Sequence, residues 1–270
     1  EAAPIRRIHV EQLRASRWPA AKAKEWYAKV GPLCGCNYLP RTAVNTTEMW
    51  QKLDEKTIDE ELGWAAACGL NSVRVFVQYI VFEAEPEALL ARMDRFLALA
   101  AKHRISVMVI LFDDCFIPEP TLGPQPDPIT GVHNSRWTAS PGERRKRPEN
   151  WPALERYVRA VVGRFANDPR VIVWDLYNEA KKESRPLVEA TFAWALAANP
   201  SQPLTSCWEA ADLSDVLTFH DYGAPNGAAL DKLVAERPAI CTECIARGCG
   251  SRLDNVLPAF AERRIGWYMW

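Results

Sequence analysis

Short apolar runs rich in β-branched residues recur along this chain, and between them apolar residues return every three or four positions. The first pattern is typical of strands buried on both faces, and the second of amphipathic helices, as in 87–103 and 151–165. We predict eight strands, at 33–39, 72–77, 105–112, 171–177, 204–208, 216–220, 239–243 and 265–270.

The alternation of strands and helices predicts parallel strands joined by right-handed crossovers. Eight such units in 270 residues favour an α/β fold, a (β/α)8 TIM barrel with a single domain spanning 1–270, because such barrels commonly need about 250 residues. A doubly wound open sheet would carry a glycine-rich phosphate turn after its first strand, and the sequence at 38–41, YLPR, has none. The sequence stops on the predicted eighth strand, so we expect the last helix to be missing from the chain.

The stretch 113–150 shows no regular period and holds seven of the 20 prolines. Loops of more than about 12 to 15 residues are usually functional or disordered. Because this loop follows the third predicted strand and carries His133 and Trp137, we interpret it as a wall of a substrate cleft.

Two of the predicted strands end on a glutamate. The segment VIVWDLYNEA at 171–180 contains Asn178-Glu179, and PAICTE at 238–243 ends on Glu243. The carboxyl ends of barrel strands meet at one face, which is where barrel enzymes have their active sites. We therefore expect the two carboxyl groups to face each other across one cleft.

The alternation of side chains along a strand predicts which of them point into the barrel. In the second strand the three valines form a helix-facing set, which leaves Arg74 facing inward. His220 and Tyr222 share the inward parity of the sixth strand, and we assign the inward parity of the seventh to Cys241 and Glu243.

Glycoside hydrolysis is the chemistry that needs such a set of residues. It requires one carboxylic acid to protonate the departing oxygen and one carboxylate to attack or stabilise the anomeric carbon. Arg74 would keep Glu243 ionised and Tyr222 would donate a hydrogen bond to it, while Asp175 is expected to be a buried partner of Arg74. Glu179 is expected to keep its proton because of apolar surroundings and the negative charge across the cleft.

Several other residues are candidates for sugar binding. Asn178 can hydrogen-bond a sugar hydroxyl next to the reacting carbon. Eleven tryptophans are a high number, and three of them fall in a loop or at strand ends, where flat rings can stack on sugars: Trp137, Trp208 and Trp270.

Composition excludes other classes of function. The 33 basic and 34 acidic residues are mixed along the chain, which argues against a nucleic-acid partner. No apolar run reaches the roughly 18 to 20 residues that cross a bilayer, so no membrane partner is expected. Most of the eight cysteines fall in apolar segments and are interpreted as free thiols, with a disulfide between Cys244 and Cys249 left open. No zinc site is expected, and Asp113-Asp114 is interpreted as a loop cap rather than a cation site.

The same residues resemble those of glycoside hydrolase family 5, a cellulase and mannanase family of the retaining (β/α)8-barrel clan. The likeness rests on WDLYNE at 174–179, Arg74, His220-Asp221-Tyr222, Thr242-Glu243 and Trp270, and it extends from Gly35-Cys36-Asn37 to the last residue. It implies a retaining double displacement with Glu179 as acid/base and Glu243 as nucleophile. It also implies a contact of Asn178 with the 2-hydroxyl, His220 and Tyr222 in the subsite of the cleaved sugar, Trp270 as its stacking platform, and Asn37 among the substrate-binding residues. Many members carry a histidine after the third strand, where this chain has Asp113-Asp114.

We therefore expect a β-glycosidase that needs no cofactor and whose partner is an oligosaccharide or polysaccharide. The alternatives are a barrel that only binds carbohydrate and a metal-dependent barrel enzyme of the enolase type. No lysine lies within a predicted strand, which argues against Schiff-base chemistry. A secreted or periplasmic location is expected from the nature of the substrate, with a cytoplasmic one left open, and the oligomeric state is not predicted.

Overall fold

The computed structural model describes residues 10–270, apart from the side chain of Glu209. Within this range eight parallel strands form one sheet: β1 Cys34–Asn37, β2 Ser72–Phe76, β3 Ser106–Asp113, β4 Val171–Asn178, β5 Leu204–Thr205, β6 Leu217–Asp221, β7 Ala239–Cys244 and β8 Gly266–Met269. They lie in the order β5-β4-β3-β2-β1-β8-β7-β6, which is a barrel closed everywhere except between β5 and β6. The predicted (β/α)8 fold is confirmed.

Ten α-helices lie in this part of the chain, and most of them connect successive strands. They are α1 Val10–Ser16, α2 Ala20–Val30, α3 Thr46–Gln51, α4 Glu55–Ala67, α5 Tyr79–Ala84, α6 Pro86–Lys102, α7 Trp151–Arg164, α8 Arg185–Ala197, α9 Gly227–Glu236 and α10 Leu253–Glu262. Short 3-10 turns occur at Pro148–Asn150, Lys182–Ser184, Trp208–Ala210 and Arg247–Cys249. No helix between residues 10 and 270 combines the length and apolar character needed to span a membrane.

Several helices begin where a polar side chain can accept a hydrogen bond from the first turn. Asn45 caps α3, Asp54 caps α4 and Asn226 caps α9, each by accepting from a backbone N–H three residues on. Such caps satisfy amide groups that have no partner inside the helix. The apolar faces of these helices then pack on the outside of the barrel.

The gap between β5 and β6 is bridged by side chains. The Thr205 hydroxyl donates to the backbone oxygen of Val216 and contacts the Thr218 hydroxyl, both at 2.9 Å. The fifth strand was predicted to reach residue 208, and this is wrong. The chain leaves the sheet after Thr205, and Trp208 starts a 3-10 turn instead of ending a strand.

The lower half of the barrel interior is filled by apolar side chains and closed by α2. The members of this cluster include Ala23, Tyr27, Leu33, Met108, Val173, Val216, Ile240 and Tyr268. Gly35 makes room for one of them: a Cβ atom here would lie 2.4 Å from the Ser72 backbone oxygen and 2.8 Å from the Tyr268 ring. Glycine at this position therefore allows the Tyr268 ring to lie against β1 inside the barrel.

In β2 the side chains alternate between the inside and the outside of the barrel as predicted. Its valines Val73 and Val75 pack in the outer cluster beneath the helices. Arg74 consequently points to the interior, where it is completely buried.

In β7 the simple alternation of inward and outward side chains does not hold. Cys241 packs with Leu230 and Phe260 in the outer layer, so its assignment to the interior is wrong. The ladder with β6 pairs Phe219 with Cys241 and His220 with Glu243, which is a bulge of one extra residue. Because a bulge reverses the side-chain alternation that follows it, Glu243 reaches the barrel mouth even though Cys241 faces the helices.

The loop after β3 covers one side of the barrel mouth, as expected from its length and composition. Two isolated β-bridges hold this loop: one joins Asp113 at the end of β3 to Ser140, and the other joins Ile117 to Thr138 within the loop. All eight cysteines are free; Cys244 is buried and Cys249 is exposed, so the disulfide that the sequence left open is not formed.

Candidate active site

The two strand-terminal glutamates lie together at the carboxyl ends of the barrel strands. Glu179 follows β4 directly and Glu243 is the penultimate residue of β7. One carboxylate oxygen of each, together with a ring nitrogen of His220, lie within 4.8 Å of one another. Both glutamates line a cavity of about 160 Å³.

Glu243 accepts hydrogen bonds from two side chains, one on β2 and one directly after β6. Arg74 Nη1 donates to its Oε1 at 2.9 Å, and the hydroxyl of Tyr222 donates to its Oε2. The Glu243 side chain is buried except for its edge at the cavity. The two donors fix the orientation of this carboxylate at the cavity.

Arg74 is the centre of the polar network under the cavity. Its Nε and Nη2 donate to Asp175 Oδ2 at 3.1 and 2.7 Å, so Asp175 is the buried partner that the sequence predicted. Burial disfavours the charged guanidinium, but the carboxylates of Asp175 and Glu243 outweigh this and raise the pKa of Arg74 above its ordinary value. Burial raises the pKa of Asp175 although Arg74 acts against it.

Two asparagines orient Arg74. Asn37 Oδ1 accepts from Nη1 at 2.8 Å and Asn178 Oδ1 accepts from Nη2 at 2.7 Å. The Asn37 amide donates to the backbone oxygens of Thr242 and Met269, which ties β1 to β7 and to the end of β8. The Asn178 amide donates to Asp113 Oδ1 at 2.9 Å. In this arrangement both asparagines position the guanidinium, and their contact with a sugar stays a prediction.

Glu179 is held by a histidine and by a cysteine thiol. Its Oε1 lies 2.7 Å from His220 Nδ1, and its Oε2 accepts from Cys115 Sγ at 3.1 Å. The hydrogen bond from His220 lowers the pKa of the Glu179 carboxyl although partial burial acts to raise it, and Cys115 adds to the lowering. The expectation that apolar surroundings would keep Glu179 protonated is therefore not met, because the donors aimed at the carboxylate outweigh desolvation.

His220 lies between the two carboxylates. Its Nδ1 is 3.5 Å from Glu243 Oε2 in addition to its contact with Glu179, and its side chain is fully buried. The other ring nitrogen is buried without a hydrogen-bond partner among the described residues. The imidazole thus links the two glutamates from below.

The predicted aromatic residues differ in their placement. Trp137 and Trp270 line the cavity and lie edge to face, with ring centres 5.3 Å apart. Trp137 Nε1 donates to Asp113 Oδ2 at 2.7 Å, which fixes its ring. Trp208 is 49% exposed and does not line this cavity; it lies 4.9 Å from the His220 ring, edge to face. Trp208 therefore does not lie at a strand end, and its contact with a sugar stays a prediction.

The sequence did not identify Cys115 as part of the site. Its thiol contacts Glu179, and its backbone N–H donates to Asp113 Oδ1 at 3.1 Å. Burial raises the pKa of the Cys115 thiol, so this group acts as a neutral donor. The signal that could have found it is its position directly after the third strand, at the same face as the glutamates.

The carboxylates of Asp113 and Asp114 accept hydrogen bonds from donors of the protein itself. Asp113 accepts from Asn178, from Trp137 and from a backbone N–H, and burial raises its pKa to about 6. Asp114 accepts from Lys146, Tyr177 and Ser184 and from one backbone N–H. These contacts agree with the loop-capping interpretation.

Within the described chain the side chains close enough to hold a metal ion together are Glu179, His220 and Glu243. The guanidinium of Arg74, 2.9 Å from Glu243, adds positive charge where a cation would bind. A cation bound to these three side chains would lie close to this guanidinium, and like charges disfavour each other.

No protein-family model and no curated protein sequence matches this chain. Solved structures match its fold. The exo-beta-1,4-mannosidase Op5Man5 from Opitutaceae bacterium strain TAV5 has a TM-score of 0.62 at 20% identity, over 88% of this chain and 51% of that one. GH5_18 from Streptomyces cattleya, in complex with GlcNAc, has a TM-score of 0.61 at 16% identity, over 89% and 70%. The beta-mannanase from the blue mussel Mytilus edulis has a TM-score of 0.60 at 13% identity, over 89% and 86%.

This chain therefore spans about half of the length of the mannosidase. At these identities the likeness concerns the fold, and it agrees with the strand order. The chain has the (β/α)8 barrel fold of glycoside hydrolase family 5 structures.

Proposed function

We propose that the protein is a retaining β-glycoside hydrolase in which Glu179 is the acid/base and Glu243 the nucleophile. The observation that carries the proposal is that the two strand-terminal carboxylates face one cavity, with their nearest oxygens within 4.8 Å of each other. Retaining enzymes hold their carboxyl groups about 5 to 5.5 Å apart, whereas inverting enzymes leave roughly 6.5 to 9.5 Å for a water molecule.

In the first step a carboxylate oxygen of Glu243 attacks the anomeric carbon. The bond to the departing oxygen breaks, and Glu179 gives its proton to that oxygen. In the second step Glu179 takes a proton from water, and the water oxygen attacks the same carbon and releases the Glu243 carboxylate. Arg74 and Tyr222 support the charged form of Glu243 before and after this cycle.

The acid role of Glu179 requires a change on substrate binding. The free carboxyl is held in its charged form by His220 and Cys115. A departing glycosidic oxygen at Oε2 would take the place of the Cys115 thiol, and the new neighbour would accept a proton instead of donating one. Loss of a donor and exclusion of water both favour the protonated form.

The substrate that we propose is a β-linked glycan related to cellulose or mannan. Support comes from Trp137 and Trp270 at the cavity and from the names of the structural neighbours, which are a mannosidase and a mannanase. Since β-linked polysaccharides lie outside cells, we further propose that the protein acts in a secreted or periplasmic setting.

The test is hydrolysis of 4-nitrophenyl β-glucoside, β-mannoside, β-cellobioside and β-mannobioside, with the product anomer followed by NMR. The first-formed product is expected to be the β-anomer. Glu243→Gln is expected to abolish turnover. Glu179→Gln is expected to lower it by about 10² to 10⁴ but to spare dinitrophenyl glycosides, whose leaving group needs no proton.

A matched control is Glu87→Gln on the outer helix α6, where an exposed carboxylate is removed far from the cavity. It should leave turnover unchanged. Equal inertness of the wild type and Glu243→Gln, with both still binding the glycan, would support a barrel that only binds carbohydrate. Loss of wild-type activity in EDTA would support metal-dependent chemistry at the cluster formed by Glu179, His220 and Glu243.

A further inference from the structure

A second cavity adjoins the one that holds the two glutamates. It measures about 260 Å³ and shares Asn134, Trp137 and Trp270 with its neighbour. Its floor is formed at the ends of β1, β2 and β8, by residues that include Asn37 and Phe76. A ligand that fills the first cavity can therefore continue into the second without leaving the barrel mouth.

The position of this cavity indicates which part of a substrate enters it. Glu179 follows β4, and the leaving group must lie on its side because this residue protonates the departing oxygen. The ends of β8, β1 and β2 lie across the barrel mouth from β4, β5 and β6. The second cavity therefore receives the sugar attached to the non-reducing side of the cleaved residue.

The walls of this cavity combine apolar surfaces with one cation. Leu39, Val44, Phe76 and Trp270 supply apolar and aromatic surface, and the loop after β3 contributes Arg136. The loop is tied down at this point, because the Asn45 amide donates to the Arg136 backbone oxygen at 3.0 Å. Among the described residues that line the cavity there is no Asp or Glu.

Arg136 has an uncompensated charge. Its Nε donates to the backbone oxygen of Asp127 at 2.7 Å, which anchors the guanidinium. Its two Nη nitrogens have no hydrogen bond or ion pair with the part of the chain that the structure describes. A guanidinium anchored at Nε offers a planar pair of donors to a ligand.

We propose that this second cavity is a subsite for an anionic sugar, one that carries a carboxylate or a sulfate, and that Arg136 binds that group. The proposal rests on the proposed function and names its substrate class: a β-linked glycan in which an acidic sugar is attached to the non-reducing side of the sugar whose bond is cleaved. A neutral sugar would leave the guanidinium without a countercharge, while an anionic group gains charge-assisted hydrogen bonds.

The experiment compares matched substrates. These are 4-nitrophenyl β-cellobioside and β-mannobioside, each with counterparts whose non-reducing residue carries a carboxylate at C6 or a sulfate at O6. We expect kcat/KM to be about tenfold to a hundredfold higher for one anionic form than for the neutral form, as for a hydrogen bond to a charged group. The anionic group that gives the higher kcat/KM identifies whether the subsite binds a carboxylate or a sulfate. The preference should decline as salt is raised.

The variants are Arg136→Gln, Arg136→Lys and, as a control, Arg156→Gln. Arg156 is exposed on α7 and has the same charge without facing the cavity. Arg136→Gln should bring kcat/KM for the anionic substrate down to the value for its neutral counterpart, Arg136→Lys should keep part of the preference, and Arg156→Gln should change nothing. Equal kcat/KM for neutral and anionic substrates in the wild type, or an equal loss for both in Arg136→Gln, would overturn the proposal.

A binding measurement can test the anionic subsite independently of whether the protein hydrolyses glycosides. The same disaccharides are titrated calorimetrically into the wild type and into Arg136→Gln, which requires no turnover. Tighter binding of an anionic form that disappears in Arg136→Gln supports the subsite even if no substrate is hydrolysed. Hydrolysis of the neutral disaccharides together with equal binding of all forms rejects the subsite and retains the glycosidase.

Discussion

Replacing Arg74 by methionine should be among the most damaging single substitutions in this barrel. Arg74 is completely buried and donates to Asp175 and Glu243 at 2.7 to 3.1 Å. Removing one partner of a buried ion pair costs about 3 to 5 kcal/mol, because the remaining charge is left without compensation. Here two carboxylates lose the same cation, so we expect a loss of about 5 kcal/mol out of a total of about 5 to 15 kcal/mol.

The assay is urea unfolding followed by circular dichroism, with the free energy of unfolding compared among variants at neutral pH. Arg74→Met combined with Asp175→Asn should recover part of the loss, because one of the two orphaned charges has been removed. Arg74→Lys should lose less than Arg74→Met, since it keeps the charge but not the fork of donors.

The pH dependence gives an independent check with a defined sign. Burial already raises the pKa of Asp175 with Arg74 present, and loss of the cation raises it further. A carboxyl whose pKa is higher in the folded than in the unfolded state binds more protons when folded, so stability falls as pH rises from the ordinary carboxyl range to neutrality. Arg74→Met should therefore be less destabilised at pH 5 than at pH 7.5. A loss below 1 kcal/mol, or a loss that grows on acidification, would refute this reasoning.

Three further predictions concern the site and the barrel. Cys115→Ala should raise the pKa of Glu179 because it removes a donor to the charged carboxylate, so the alkaline limb of the pH profile of kcat/KM should move to higher pH. Cys115→Ser should restore the original profile. An alkaline limb that does not move in Cys115→Ala would contradict the contact between Cys115 and Glu179. Tyr222→Phe removes a donor to the proposed nucleophile and should lower kcat/KM by about tenfold to a hundredfold, measured on an aryl β-glycoside. Gly35→Ala should cost about 1 to 3 kcal/mol in urea unfolding because its Cβ would overlap the wall of the barrel, while Gly248→Ala, with nothing within 4 Å, should be neutral.

Most of the fold could be read from the sequence because barrel strands carry a strong local signal. The strand β4, for example, is predicted at 171–177 and observed at Val171–Asn178. The inward direction of Arg74 and its pairing with Asp175 also follow from alternation along regular strands. In both cases the information lies within a few residues of one strand.

The errors arise where long-range contacts override the local pattern. The bulge in β7 depends on how this strand pairs with β6 and β8, and it reverses the parity of Cys241 relative to Glu243. The early end of β5 depends on hydrogen bonds of Thr205 across the gap to β6.

The charge state of Glu179 belongs to the same class of error. It depends on His220 and Cys115, donors from two different parts of the chain whose approach no local period encodes. A single strand read by itself showed the carboxyl group but not the neighbours that determine where its proton resides.

The ion pairs of Arg74 lie inside the barrel, where apolar side chains of the same volume would often make the fold more stable. Their arrangement indicates a reason for this. One guanidinium is shared by two carboxylates, Asp175 and Glu243, so it neutralises neither completely. Buried ion pairs of this kind often contribute less to stability than apolar residues of the same volume. The excess of negative charge faces the cavity through Glu243, where the anomeric carbon of a bound glycoside becomes positive as its bond breaks. The network is thus poorly explained as a stabilising feature of the barrel, and the proposed glycoside cleavage explains it better, as a preorganised field.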